Sequence, residues 1–486
     1  MAIKAKWKKQ NSQRSLLCFS LLTIPFLLLF FLFLFYKQDS PSVFRLSTNS
    51  LYPCSMRTHG ERFLWYVPHS GFSNQLLEFK NAILLAAILN RKLIVPPVLD
   101  HHAVALGSCP KFRVLSPNEL RIQVWDHAIE LIRTGRYVSM TDILDISSIS
   151  SIIRTIDFRD FVSLWCGVDW HFACLNDSNT QSSQLDTLRQ CGSLLSGLKG
   201  NVDDCLYAID EDCKSTVWTY QQNDDGRLDF FQPDEQLRMK KKFSYVRRRR
   251  DVYKKLGPGS KAHFSTVLAF GSLFTARYRG SELYIDIHES RNDRRIQSLI
   301  WKSEFIPFVA DITNAGRKYS SNIIKEPFFC AQLRLLDGQF KNHWKSTFSG
   351  LQQMAESLKR KNSLPVHIFV MTDLPKSNWT GTYLGDLASD TNSFKLHVIR
   401  KEDDFVRHTA EKIATSSLGM RSGSVRFSSG QANTTKWHCP NQFLPDILLY
   451  VEETVCSCAS LGFVGTAGST IAESIELMRK NAICSG

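Results

Sequence analysis

The stretch Leu461-Gly462-Phe463-Val464-Gly465-Thr466-Ala467-Gly468-Ser469-Thr470 reads as a short apolar strand, a glycine turn and a helix start. A helix pattern follows from Thr470 to Lys480. Two glycines let the backbone approach another group closely, and Ser or Thr is favoured at a helix N-cap. The same order of strand, turn and helix recurs upstream. Phe63-Leu64-Trp65-Tyr66-Val67 is a strand ahead of the turn Ser70-Gly71-Phe72-Ser73-Asn74-Gln75, the helical pattern Gln75 to Asn90, and a second strand, Lys92 to Val95. In the second half, Phe328 to Leu333 is a strand, Trp344 to Lys359 a helix and Val366 to Met371 a strand ahead of Thr372-Asp373. Lys395 to Ile399 and Leu461 to Val464 are further strands, with Asp446 to Ala459 a helix. Apolar runs too short for helices, alternating with amphipathic helices, predict parallel sheets covered on both faces. The region from about Asp100 to Asp251 is less regular and reads as insertions.

Upstream of this pattern, Leu16 to Tyr36 carries no charge and is dense in Leu and Phe. At about 1.5 Å per residue it spans roughly 30 Å and reads as one transmembrane helix. Lys4, Lys6, Lys8, Lys9 and Arg14 precede it without an acid, which predicts a cytosolic N-terminus and a lumenal remainder. A cleaved signal peptide would have a shorter apolar core and a small-residue cleavage site. The expected organisation is a cytosolic tail (1–15), an anchor (16–36), a lumenal stem (37–60), a first α/β domain with insertions (61–310) and a second (311–486), facing one another across a cleft. A short, Phe-rich span suits a Golgi membrane.

Of 13 cysteines only Cys18 lies in the anchor, leaving an even number where disulfides persist. Asn176-Asp177-Ser178, Asn378-Trp379-Thr380 and Asn433-Thr434-Thr435 are N-glycosylation acceptors on that side. Net charge is +14, but the N-terminal cations and the segment Arg238 to Lys255, ten cations against one Asp, account for all of it. Arg247 to Arg250 therefore reads as a solvated face or a landing surface for an anionic ligand, and the membrane anchor argues against a nucleic-acid partner.

Three segments carry the chemistry. In the last turn, backbone N–H groups and the hydroxyls of Ser469 and Thr470 sit where a helix dipole attracts phosphate. Arg334 ends the Phe328 strand, where a guanidinium forks onto phosphate oxygens or pairs with Asp337 or Glu326. Asn74 follows Gly71 just before a helix, placed for a nucleotide or sugar hydroxyl, or for a cap. No GxGxxG and no Walker lysine is present, so the residues do not support dinucleotide or ATP chemistry.

Together these segments resemble the GDP-fucose protein O-fucosyltransferase family, in its plant branch of type II membrane proteins. The first is similar to the family's Gly-Phe-x-Asn-Gln turn, the second to its His-x-Arg element and the third to its Gly-x-x-x-Ser-Ser/Thr loop. The resemblance implies a GT-B fold of two Rossmann-like domains and metal-free, inverting transfer of fucose from GDP-fucose to a protein or glycan hydroxyl, with no cofactor. By the same resemblance Gly71, Phe72 and Asn74 meet the donor, Arg334 the β-phosphate, Ser469 and Thr470 the phosphates, and Asp373 stands at a donor-side acid position. Gln332 replaces the family's His and can hydrogen-bond without carrying a proton or charge. Asp337 is the candidate base.

Other readings differ in class. Asp210-Glu211-Asp212 fits a metal-dependent transferase motif, although no strand leads into it. The segment from Gln221 to Gln232 resembles an EF-hand loop with Gly226 at the sixth place, which would make the chain a calcium-binding or signalling protein. It has Gln221 and Gln232 where Asp and Glu belong. A third possibility is a pseudoenzyme that keeps the fold.

Overall fold

The structure, a computed structural model, describes residues 60–68, 71–99, 117–168, 178–198, 200–202, 204–209, 247–248, 252, 255–273, 285–286, 294–336, 340, 344–361, 364–419 and 443–484. Two parallel sheets dominate. The first has the order β3-β2-β1-β6-β4, with β1 Phe63–Trp65, β2 Lys92–Val95, β3 Thr155–Asp157, β4 Leu206–Ala208 and β6 Val267–Ala269. The second has the order β10-β9-β8-β11, with β8 Phe328–Leu333, β9 Val366–Thr372, β10 Phe394–His397 and β11 Gly462–Gly465. Between them in the chain, β5 Arg247–Arg248 and β7 Ile285–Asp286 form a small parallel pair.

Side chains alternate faces along each strand, so a sheet covered on both sides needs apolar residues at every position. Phe63, Trp65 and Val67 enter one core, while Leu64 and Tyr66 enter another. On β8 and β9 the split is the same: Phe329, Ala331, Ile368 and Val370 face an outer core, and Phe328, Cys330, Phe369 and Met371 face inward. The inward faces of both sheets share one continuous core, filled by helices α1 (Phe72–Ile88), α5 (Arg294–Glu304), α6 (Ala310–Lys318), α9 (Leu448–Ser457) and α10 (Thr470–Lys480). The outer core of the first sheet is covered by α2 (Pro117–Arg133), α3 (Phe158–Cys166) and α4 (Ser178–Leu195). There Trp65 meets Trp125 edge-on at 5.9 Å and Phe63 meets Phe161 at 5.4 Å. Helices α7 (Trp344–Lys361) and α8 (Asp404–Gly419) complete the second half, with α7 packed on its outer core.

The strand-to-helix alternation expected from sequence is present, and the bounds of β2, β8 and α10 match residue for residue. The supposedly irregular region instead contributes, among the described residues, two strands of the first sheet and four helices, α2, α3, α4 and the single turn Met140–Ile143. Between described residues there are three disulfides: Cys166 to Cys191 joins α3 to α4, Cys330 to Cys456 joins β8 to α9, and Cys458 to Cys484 secures the segment after α10. Among the described residues no helix is long and apolar enough to cross a membrane; Leu16 to Tyr36 lies outside them.

Candidate active site

In open α/β sheets ligands meet the carboxyl ends of the strands. In the second sheet those of β8 and β11 adjoin, with Gln332 in register with Gly465. The chain after β11 turns through Thr466, which laces the two ends together. Its amide donates to the Gln332 carbonyl at 3.0 Å, and its hydroxyl accepts from the Arg334 amide at 2.9 Å. Arg334 and the Gly465 to Thr470 turn, 132 residues apart, thus share one rim. The guanidinium carbon of Arg334 stands 5.8 Å from the Phe340 ring centroid.

The turn is shaped for close approach. A Cβ on Gly465 would lie 2.6 Å from that of Ala472 and 2.9 Å from the Phe463 ring, so only glycine fits between β11 and α10. Gly468 has φ +74° with open space above it, a conformation side chains rarely adopt. Ser469 then occupies the N-cap of α10 but makes no capping bond; it is 1% exposed and its Oγ has no partner among the described residues. The amides of Thr470, Ile471 and Ala472 have no acceptor among the described residues. A helix tip with open amides, positive dipole and an unengaged hydroxyl has the chemistry to hold an anion.

On the first sheet, Gly71 caps α1, with open space where a Cβ would stand. Helix α1 is buried nearly all round, including its polar residues, and these hold the neighbouring loops. Gln75 exchanges two hydrogen bonds with the Leu99 backbone, at 2.8 and 3.0 Å, beyond β2. Glu78 accepts from the Leu273 amide at 3.0 Å and Asn81 donates to the Leu273 carbonyl at 2.9 Å, beyond β6. Spacing of three residues puts Gln75, Glu78 and Asn81 on successive turns of one helix. The carboxyl-end loops of β1, β2 and β6 are therefore fixed from a single helix. Asn74 is half-buried beside Gly71, and its side chain makes no hydrogen bond among the described residues.

Three of the expected donor residues also have partners within the chain. The Phe72 ring is buried, 4.5 Å from Tyr450 and 6.3 Å from Phe308. Gln332 is buried, its amide oxygen accepting from the Thr466 amide at 3.3 Å, so it braces the turn. Asp373 turns its two oxygens onto backbone, accepting from Leu335 at 2.7 Å and Leu336 at 3.0 Å. Asp337, Asp210 to Asp212 and Gln221 to Gln232 lie outside the described residues.

No protein-family model matches the chain. It is 56% identical over 494 residues to O-fucosyltransferase 30 of Arabidopsis thaliana, covering 99% of this chain and 97% of that protein. The chain belongs to the O-fucosyltransferase family. Solved structures with a distant likeness include POFUT1 in complex with GDP-fucose, at 11% identity and TM-score 0.39 over 87% of this chain and 94% of that one. The fucosyltransferase NodZ from Bradyrhizobium is another, at 10% identity and TM-score 0.32 over 86% and 93%.

Within this O-fucosyltransferase family member, sequence reading passed over two residues of the rim and one beneath it. Thr466 was quoted without a role, though a hydroxyl inside a Gly-to-Gly turn signals a local bond. Trp344 Nε1 donates to the Leu335 carbonyl at 2.5 Å, a contact without sequence signature. Beneath the tip, Glu453 of α9 is 1% exposed, accepts from Ser474 Oγ of α10 at 2.6 Å and has no partner at Oε1. Burial pushes its carboxyl up to about 8, the Ser474 bond opposing. It therefore carries its proton near neutrality, which removes the cost of burying a charge there.

Proposed function

We propose that this chain transfers fucose from GDP-fucose to an acceptor hydroxyl, with inversion and without a metal ion. The observation that carries this is the 2.9 Å bond from the Arg334 amide to Thr466 Oγ1, which sets the backbone of Arg334 beside the turn that leads into an uncapped helix tip. Membership of the O-fucosyltransferase family supplies the donor: a nucleoside diphosphate sugar needs two phosphates neutralised as it departs. In the reaction the bond from the anomeric carbon to the β-phosphate oxygen breaks, its electron pair staying with GDP. The acceptor oxygen forms the new bond from the opposite face and gives its proton to a base, for which Asp337 is the candidate.

Negative charge grows on the diphosphate as that bond lengthens, and preorganised donors aimed at developing charge are the largest single source of catalysis. Arg334, Ser469, Thr470 and the first amides of α10 supply such donors, and GDP leaves as a stable anion that needs little acid help. This is why a Gln at position 332 is compatible with turnover. Asn74 and the Gly71 backbone would face the sugar side from the first sheet. In this reading the two sheets form the halves of a GT-B fold, residues 61–310 and 311–486, on a lumenal, type II Golgi protein anchored through Leu16 to Tyr36.

Challenging the purified ectodomain with a panel of nucleotide sugars, with and without EDTA, tests the reading. GDP-fucose should delay thermal unfolding and be consumed equally in EDTA. Protection by a uridine sugar alone, or turnover lost in EDTA, would refute it. A second reading, a pseudoenzyme that binds GDP without turnover, is favoured by one observation: Gln332 is committed to bracing Thr466. GDP affinity with no transfer to any acceptor would select it.

A further inference from the structure

The three residues after β8 are held to an unusual degree. Arg334, Leu335 and Leu336 present consecutive amides beyond the end of the ladder, and each is captured by a side chain from a distant segment. Thr466 Oγ1 takes the first at 2.9 Å, Asp373 Oδ1 the second at 2.7 Å and Asp373 Oδ2 the third at 3.0 Å. Trp344 Nε1, from α7, donates to one of the two intervening carbonyls, that of Leu335, at 2.5 Å. Leu335 itself is fully buried, which anchors the turn from below. Three elements, the end of β9, the turn after β11 and the start of α7, thus converge on the backbone from which the Arg334 side chain departs.

A carboxylate bridging two successive amides is a charge-assisted pair, stronger and shorter than neutral hydrogen bonds. Its geometry fixes both peptide planes, and with them the direction of the preceding Cα–Cβ bond. Long arginine side chains have many rotamers, so a fixed root and the Phe340 ring 5.8 Å from the guanidinium carbon reduce the freedom lost on meeting a ligand.

We propose that Asp373 and Thr466 are positioning residues for Arg334, acting on the donor diphosphate only through it. Asp373 belongs to the end of β9 and Thr466 to the turn after β11, so the guanidinium is aimed by the strands on both sides of β8. The proposal rests on the reading that a diphosphate binds between Arg334 and the Ser469 tip.

Titration calorimetry with GDP tests it, on the ectodomain and on Asp373→Asn, Thr466→Val and Thr466→Ser, each alone and combined with Arg334→Ala. An Asn at 373 faces one backbone N–H with its own N–H₂, breaking one bond of the bridge. The expected loss of GDP affinity is about tenfold for Asp373→Asn and about fivefold for Thr466→Val, with Thr466→Ser within twofold of the parent. In the Arg334→Ala background, measured by competition into the millimolar range, neither substitution should change affinity by more than twofold. Affinity unchanged in both single variants would overturn the proposal, as would losses that multiply with that of Arg334→Ala, which would mean direct contact with the donor. If Asp373→Asn does not fold, the Thr466→Val and Thr466→Ser pair decides alone. A parent protein that does not bind GDP would overturn the functional reading and this proposal with it. A parent that binds normally beside unaffected variants overturns the proposal only.

Discussion

Replacing Ser469 by alanine should make the ligand-free protein more stable and the GDP complex weaker. Ser at an N-cap ordinarily contributes about 0.5–2 kcal/mol through a bond from its hydroxyl to an amide of the first turn. Ser469 makes no such bond, and its Oγ is buried without a partner. An unsatisfied buried hydroxyl costs roughly 1–3 kcal/mol, so its removal should raise stability by about 1 kcal/mol, or about 1–3 °C in a protein of this size. Binding should respond with the opposite sign. A hydrogen bond to a charged phosphate oxygen is worth about 1.5–3 kcal/mol, which predicts roughly a 10- to 100-fold loss of GDP affinity. Calorimetric unfolding of the ligand-free protein and a GDP titration of the same preparation measure both signs. A lower unfolding midpoint with unchanged GDP affinity would refute the reasoning, because it would make Ser469 an ordinary helix cap.

Three further outcomes follow from other parts of the molecule. The Cys330 to Cys456 bridge closes 126 residues of chain, for which loop entropy gives about 5 kcal/mol. The paired Cys330→Ala, Cys456→Ala variant should lose on the order of 3–5 kcal/mol in denaturant unfolding, and an unchanged midpoint would contradict this. His397 is pulled down to about 4, first by burial and then by His367 and Lys395. The unfolded chain takes up this proton first, so the stability from neutral His397 is full above about pH 6.5 and is lost as pH falls toward 4; His397→Asn should flatten the curve of stability against pH in that window. Glu453, pushed up to about 8, behaves oppositely: its contribution is full below about pH 4.5 and is lost as pH rises through 8. Glu453→Gln keeps an acceptor for Ser474 and should therefore unfold at higher denaturant than the parent at pH 9, and equal midpoints there would exclude a buried ionisation at this position.

The strands of the second sheet were legible because they are apolar on both faces, so that Phe328 to Leu333 and Val366 to Thr372 stand out as unbroken runs. Thr155–Asp157 and Leu206–Ala208 were not, since three residues carry no readable period. Helix α2 hid for a different reason. It buries Arg121, whose Nε and Nη1 donate to the carbonyls of Ser196 and Ile209 at 2.7 and 3.0 Å, so a charged residue sits where the pattern calls for an apolar one. At the candidate site, Ser469 and Arg334 were singled out because residue type and position after a strand both pointed the same way. Asp373 and Phe72 were read as donor contacts from the family resemblance alone. Asp373 bonds backbone at the end of the neighbouring strand, β8, and Phe72 packs on α9, contacts between distant segments that a single sequence does not encode as spacing. Thr466 went unassigned because its partners, Gln332 and Arg334, become neighbours only when β11 docks on β8.

A crystal structure of the ectodomain with GDP is the deciding measurement. It should place the diphosphate oxygens within hydrogen-bonding distance of Ser469 Oγ, the first amides of α10 and the Arg334 guanidinium. A diphosphate bound elsewhere, with Arg334 and the Ser469 tip untouched, would contradict the assignment of this rim as the donor site.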